Sequence, residues 1–296
     1  MYNGPECSFA APVGYEKAFE RFEPALQSFY ADAVPARLEP FRIFGNLYYV
    51  GNKKVCMHLI DTGAGLLLFD TGYGNDFYLL LESIRELGFD PHDVKIIIHS
   101  HGHFDHINGG NAMRDLFGSK IYMSKVDTEL IKERPERALC EYGPFKYPEM
   151  CWPDEEIEDG QVISLGNTSV RCVLTPGHTF GTMTYFFDAV DETGKKLHVA
   201  YMGGCGFLTV YKKYCRRMGL PENKLESMGA SIEKVRGEKV DIVIGNHPSQ
   251  NCTLQKRQWM IDHPDDPNPF INPAAWGLFL NELDAARKAL LESDLY

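Results

Sequence analysis

The chain has 296 residues, with 30 Lys+Arg against 41 Asp+Glu and a formal net charge of −11. That acidity excludes a nucleic-acid backbone as the main partner, because phosphate binding needs clustered positive charge. A hydrophobic fraction of 44% with 24% charged residues is ordinary for a globular protein and excludes a disordered chain, a collagen or a coiled coil.

Taken in chain order, Tyr15, Phe19, Phe22, Leu26 and Tyr30 are spaced as a short amphipathic helix. The texture changes at Phe41. Residues 41–50, 55–61 and 66–70 are short β-rich runs split by Gly51-Asn52 and Thr62-Gly63-Ala64-Gly65, which predicts a meander of hairpins. Residues 77–87 read as a helix with Leu80, Leu81, Ile84 and Leu87 on one face and Gly88 as its stop. Residues 94–98 form a continuous apolar run, a strand buried on both sides. A helix over 111–117, a strand over 120–123 and a helix over 126–132 follow. The second half repeats the pattern: strands over 162–165, 169–174, 183–188 and 197–202, a helix over 221–236 and a strand over 240–244. A last helix starts at Asn272-Pro273, an N-cap followed by a proline at the first helical position, and buries Trp276, Phe279, Leu280, Leu283, Ala286 and Leu290. Strands and then helix–strand–helix, twice over, predict an α/β protein with two sheets packed face to face and helices outside.

Residues 133–160 and 251–272 fit no regular element, and loops that long are usually functional or mobile. They are candidate walls of a substrate pocket, with Tyr142, Phe145, Tyr147 and Trp152 as apolar lining, or they pack on the outer helices. The organisation reads as a helical extension over 1–40 and one domain over 41–296. The apolar run Gly65-Leu66-Leu67-Leu68-Phe69 is far shorter than the ~20 residues that span a bilayer. The N-terminus lacks a basic start followed by an apolar stretch, so a cytoplasmic location is expected, or a periplasmic one if a leader has been removed. The eight cysteines are scattered without a C-x-x-C, which fits reduced thiols.

The chemistry concentrates in His101-Gly102-His103-Phe104-Asp105-His106, directly after the buried strand at 94–98. Three imidazoles and a carboxylate on one strand-end loop are good ligands for zinc, iron or manganese. One ion cannot easily take all four from so short a turn; two ions can, if residues from elsewhere complete them. His178 and His247 each follow an apolar strand, where parallel α/β architectures collect their sites. His58, His92, His198 and His263 have no such setting, and His99 falls on the alternate face of its strand.

The His101–His106 segment matches the H-x-H-x-D-H signature of the metallo-β-lactamase superfamily. Asp70-Thr71-Gly72, Thr175-Pro176-Gly177-His178-Thr179 and the strand leading to His247 extend the resemblance from about Phe41 to the chain end. The resemblance implies an αββα sandwich and a metal-dependent hydrolase. The chain looks most like the lactamase subclass whose second metal is held by Asp, His and His. By that resemblance His101, His103 and His178 bind a first divalent ion, and Asp105, His106 and His247 a second. Zinc is the implied metal, with manganese or iron as alternatives. Asp105 is the implied catalytic residue, a ligand that also holds or relays a proton. Asp70 is either a turn residue or a support for the ligands. Cys205 is either a small buried thiol or a further ligand.

Lactonases and hydroxyacylglutathione hydrolases of the superfamily place a bridging Asp after the strand equivalent to 197–202. Here Gly203-Gly204-Cys205-Gly206 stands there. The implied function is opening of a small cyclic amide or ester, as in a β-lactam, by water activated on the metal pair. A lactonase or thioesterase, and a non-catalytic metal-binding protein, are the alternatives. The implied partner is a small molecule, with neither nucleic acid nor membrane; the oligomeric state is open. The Lys or Ser that usually grips the lactam carboxylate is missing from 203–208. Thr209, Lys212, Lys213, Arg216 and Arg217 are the nearest substitutes, although four basic residues so placed also suit a solvated helix face.

Overall fold

A computed structural model describes residues 1–9, 11–139 and 150–296. The strands are β1 (Phe41–Phe44), β2 (Leu47–Tyr49), β3 (His58–Asp61), β4 (Leu66–Phe69), β5 (Val94–Ile98), β6 (Lys120–Ser124) and β7 (Glu155–Ile157) in one sheet. The second sheet holds β8 (Val162–Leu165), β9 (Thr168–Leu174), β10 (Met183–Val190), β11 (Lys196–Met202) and β12 (Ile242–Gly245), in the order β12-β11-β10-β9-β8. The helices are α1 (Tyr15–Ala31), α2 (Phe77–Glu86), α3 (Phe104–Ile107), α4 (Gly110–Phe117), α5 (Lys125–Glu133), α6 (Lys212–Met218), α7 (Lys224–Val235), α8 (Thr253–Asp262) and α9 (Ala275–Leu291).

Alternation along each strand explains why both sheets read as apolar runs. Leu67 and Phe69 of β4 point between the sheets with Tyr185, Phe187, Val199 and Tyr201 of β10 and β11. Leu66 and Leu68, and Phe186 and Ala200, point outward and join the apolar sides of α2, α4, α7 and α9. A strand covered on both faces keeps no polar side to show. Phe69 lies across the interlayer, its ring 5.3 Å from Tyr185 and 5.1 Å from Tyr201. On the outside, the Trp276 ring of α9 stands edge-on to Phe186 at 6.0 Å. The αββα sandwich expected from the element order is the observed fold.

Four elements were not foreseen. β7 is a three-residue edge strand, α3 a single turn, and α6 (KKYCRRM) and α8 (TLQKRQWMID) carry no clear apolar stripe. Because α8 occupies 253–262, the segment 251–272 is not the irregular stretch expected. The last helix begins at Ala275 rather than Pro273; Asn272 accepts from the Ala274 N–H just before it. Only 15–31 and a short 3-10 turn are helical within the expected extension, and Phe29, Ala33 and Ala36 are buried in the same core as the sheets. Among the described residues no helix is long and apolar enough to cross a membrane.

Truncating Phe69 to Ala removes the ring that contacts both sheets and should cost about 3–5 kcal/mol of unfolding free energy. Val162→Ala, at an exposed position on β8, should stay within about 0.5 kcal/mol. Urea titrations of the two variants check this; equal effects would contradict the placement of the core.

Candidate metal centre

The parallel strands β4, β5, β11 and β12 end at one edge of the sandwich, and their following residues converge there. β5 runs into the His99–His103 turn and then α3, whose one turn presents Asp105 and His106 side by side. His178 comes from the loop between β9 and β10, and His247 from the turn after β12. The structure brings together all six residues that the resemblance implied. Ligand atoms of His101, His103 and His178 lie within 4.8 Å of one another, as do those of Asp105, His106 and His247. The two groups adjoin: the His101 and His106 rings are 4.4 Å apart between centroids. Asp105 Oδ2 is 3.4 Å from His106 Nε2 and 3.5 Å from His247 Nε2.

The ring orientations show that the groups suit cations. His101 Nδ1 is 2.7 Å from the Gly203 carbonyl, His178 Nδ1 2.7 Å from that of Gly206, and His247 Nδ1 2.9 Å from that of Lys54. His106 Nδ1 is 2.9 Å from Asp70 Oδ2. A carbonyl or carboxylate only accepts, so each of these Nδ1 atoms carries the proton and each Nε2 keeps a lone pair facing inward. His106 Nε2 is buried with no hydrogen-bond partner. His103 turns the other way, with Nδ1 2.9 Å from His101 Nε2. Burial holds His101 and His103 well below the usual imidazole range, and the neighbouring imidazoles add to this. Burial likewise takes His178 down to about 3. Neutral imidazoles are what a divalent ion needs. For His106 burial also pulls down, but the Asp105 and Asp70 carboxylates outweigh it and the net shift is upward.

Asp70 is fully buried and supports the centre. It accepts from the Ser100 amide (2.7 Å), the Ser100 hydroxyl (2.8 Å), His106 Nδ1 (2.9 Å) and the Tyr201 hydroxyl (2.6 Å). Its backbone adopts a left-handed φ of 60°. Two supports had no signal in the sequence. Asp127, buried in the first turn of α5, accepts from the Gly102 and Gly181 amides and the Thr179 hydroxyl, tying the His101–His103 turn to the His178 loop. Lys224, buried at the start of α7, donates to the carbonyls of His178 (2.9 Å) and Thr209 (3.1 Å). Gly204 is close enough to His178 that a Cβ there would sit 2.9 Å from its ring, whereas Gly177 packs on Met228 of α7, away from the site.

His58, His92, His99, His198, His263 and Cys205 belong to neither ligand group. Cys205 is buried in the wall of a cleft, and burial pushes its thiol up, which disfavours the thiolate a metal would bind. Thr209 is no substrate anchor: it is buried and its hydroxyl donates to the His178 carbonyl. Lys213 pairs with Glu16, Arg216 with Glu222, and Lys212 lies over the Tyr296 ring, so this part of α6 is a solvated face. The cleft of about 290 Å³ that reaches His247 is lined by Ser8, Phe9, Ala11, Pro12, Val13 and Ala18 on one side and by Cys205, Gly206, Phe207, Leu208 and Tyr211 on the other, together with Ser249 and Gln250. Of the expected walls, Trp152 lies elsewhere, its carbonyl bonded to Arg114, and nothing in 251–272 lines the cleft. Tyr142, Phe145 and Tyr147 lie outside the described residues.

The profile of the metallo-beta-lactamase superfamily matches residues 55–190. The native FEZ-1 metallo-beta-lactamase from Legionella gormanii superposes with a TM-score of 0.77 at 27% identity, covering 87% of this chain and 97% of that one. The chain is similar to that superfamily in sequence over residues 55–190 and shares the fold of this lactamase. Among curated relatives, the probable polyketide biosynthesis zinc-dependent hydrolase PksB of Bacillus subtilis is 29% identical over 49% of this chain and 52% of its own length. A hydroxyacylglutathione hydrolase of Maricaulis maris is 32% identical over 50% of this chain and 52% of its own length. The chain thus spans about half the length of these two relatives.

Replacing Asp70 by Asn keeps the shape but leaves an amide that cannot accept from all four donors. Metal affinity at the Asp105–His106–His247 group should fall about 10–100-fold. Competition against a chromophoric chelator measures this; an unchanged affinity would remove Asp70 from its supporting role.

Proposed function

We propose that the protein is a binuclear zinc-dependent hydrolase that opens a small cyclic amide or ester, with β-lactams as poor substrates. The observation that carries this reading is the pair of adjoining three-ligand groups at one end of the sandwich. His101, His103 and His178 would hold one ion; Asp105, His106 and His247 the other. Bound there, such ions polarise a carbonyl and lower the pKa of water toward about 7.

The chain's own residues do the rest. The Gly203, Gly206 and Lys54 carbonyls and the Asp70 carboxylate fix four imidazoles with their lone pairs inward. Asp105 Oδ2 lies between His106 and His247, so this carboxylate can take the proton released when water attacks and return it to the leaving nitrogen or oxygen. The His247 side chain is 32% exposed, which opens this half of the centre to the cleft. The turn at 203–206 carries no carboxylate, which supports a lactamase-like centre over the lactonase and thioesterase alternatives.

Among the described residues that line the cleft, none is Lys, Arg, Asp or Glu. A β-lactam carboxylate would find no charge-assisted partner, a loss of about 1.5–3 kcal/mol or one to two orders of magnitude in kcat/KM. Elemental analysis should find two zinc ions per chain. A chromogenic cephalosporin should be turned over with a raised KM, and chelation should abolish turnover without unfolding the sandwich. Asp105→Ala should lose one ion and about 10²–10⁴-fold in rate while staying folded. A protein that binds no metal, or full activity in Asp105→Ala, would overturn the reading.

A further inference from the structure

The cleft beside His247 has walls of different origin. One is the turn after β11, with Phe207 and Leu208; the other is the N-terminal segment, with Phe9 and Val13. Tyr211 lies between them, and its hydroxyl donates to the Val13 carbonyl. The segment is seated by specific contacts along its length. The Ser8 amide donates to the Ser249 carbonyl at 3.1 Å, two residues beyond His247. Lys256, 1% exposed, pairs with Glu6 at 2.6 Å, and Asn272 Nδ2 donates to the other Glu6 oxygen at 2.8 Å. Phe9 rests edge-on against Phe279 of α9 at 5.4 Å. A buried Lys–Glu pair with a further donor on the carboxylate holds its geometry firmly, because separating it strands a charge.

The lining is apolar and uncharged, and its polar members are largely engaged. Gln250 accepts from the Asn246 amide, and His247 Nδ1 faces the Lys54 carbonyl. None of the α6 cations lines the cleft. A volume of about 290 Å³ beside a ligand group suits part of a small molecule, not a peptide helix or a second chain.

We infer that this cleft is the subsite for a side group of the substrate, that it takes an uncharged aliphatic or aryl group, and that the N-terminal segment is a specificity-determining wall of it. The inference rests on the metal-centre reading, since His247 is what joins the cleft to the reacting carbonyl. An apolar group there displaces water from Phe9, Val13, Phe207 and Leu208, and each buried methylene adds about 0.8 kcal/mol, or about fourfold in affinity.

The test uses zinc-loaded full-length protein and calorimetric titration with aceto-, butyro-, hexano- and octanohydroxamate, whose common head chelates metal and whose tails differ only in length. Affinity should rise by up to about fourfold per methylene. Phe9→Ala and, separately, Leu208→Ala should flatten that rise. Should one variant fold poorly, the other carries the comparison. Equal binding of all four tails, or a length dependence that both variants retain, would overturn the inference and leave the metal centre standing. No binding of any hydroxamate by a protein that also takes up no zinc would overturn the metal reading, and this inference with it.

Discussion

A carboxylate with no exposed surface, Asp70, is the point on which the centre turns. Burying an ionised carboxyl alone would cost far more than a domain's stability, so it persists only with its lone pairs filled. Four donors fill them: two from Ser100 after β5, one from His106 on α3, and one from Tyr201 on β11. Burial alone would raise the Asp70 pKa, yet the interaction with His106, through its Nδ1–H hydrogen bond, leads the effects that bring it below the usual carboxylate value. The residue thus joins both sheets and the ligand loop through one charged group. Its left-handed backbone, which costs a non-glycine residue about 1–2 kcal/mol, turns the chain sharply enough to aim the carboxylate at His106.

The same logic recurs at the other corner. Asp127 gathers two amides and a hydroxyl from two ligand loops, and Lys224 supplies positive charge to the carbonyls behind His178. The two groups pull against their surroundings in opposite directions: burial raises the Asp127 pKa and takes that of Lys224 down to about 8. Each is tolerated because its partners are fixed backbone groups, with one buried hydroxyl beside them at Asp127, a preorganisation that would spare the candidate ligands reorganisation when a cation arrives.

These supports also mark the limit of what the sequence reveals. The six candidate ligands are legible because each follows an apolar strand run, and strand ends on one side of parallel sheets converge. Asp70 is half legible, since Asp-Thr-Gly reads equally as a turn. Asp127 and Lys224 carry no signal at all: a polar residue in the first turn of a helix is normally solvated, and only the three-dimensional meeting of α5 and α7 with the ligand loops makes them internal. The helix α8 escaped detection for a related reason, because it seats itself through Thr253 and Lys256 rather than through an apolar stripe. The cleft is invisible in one dimension because its walls are some two hundred residues apart. Irregularity and proline content pointed instead to 133–160 and 251–272, on the premise that a pocket wall must be a long loop. Here the wall is a terminal segment held by side-chain pairs, with no periodicity to betray it.

Charge balance then ties the centre to its cleft. The ligand groups contain a single carboxylate, Asp105, and Asp70 adds one more behind His106. A pair of divalent cations held there would leave the centre net positive even though the chain as a whole carries −11. A net-positive site in a dry setting favours the negative charge that develops on a carbonyl oxygen under attack, where a low dielectric makes each charge count for more than in water. The uncharged cleft complements this. Apolar walls keep water and competing anions from screening the centre, and they bind the substrate through surface that is the same before and during reaction. Such uniform binding lowers KM without raising kcat. On the proposed function, selectivity among substrates would fall to Phe9, Val13, Phe207 and Leu208, and rate to Asp105 and the cations it would help to hold, so that the N-terminal segment could change its side chains without disturbing the loops seated on Asp70 and Asp127.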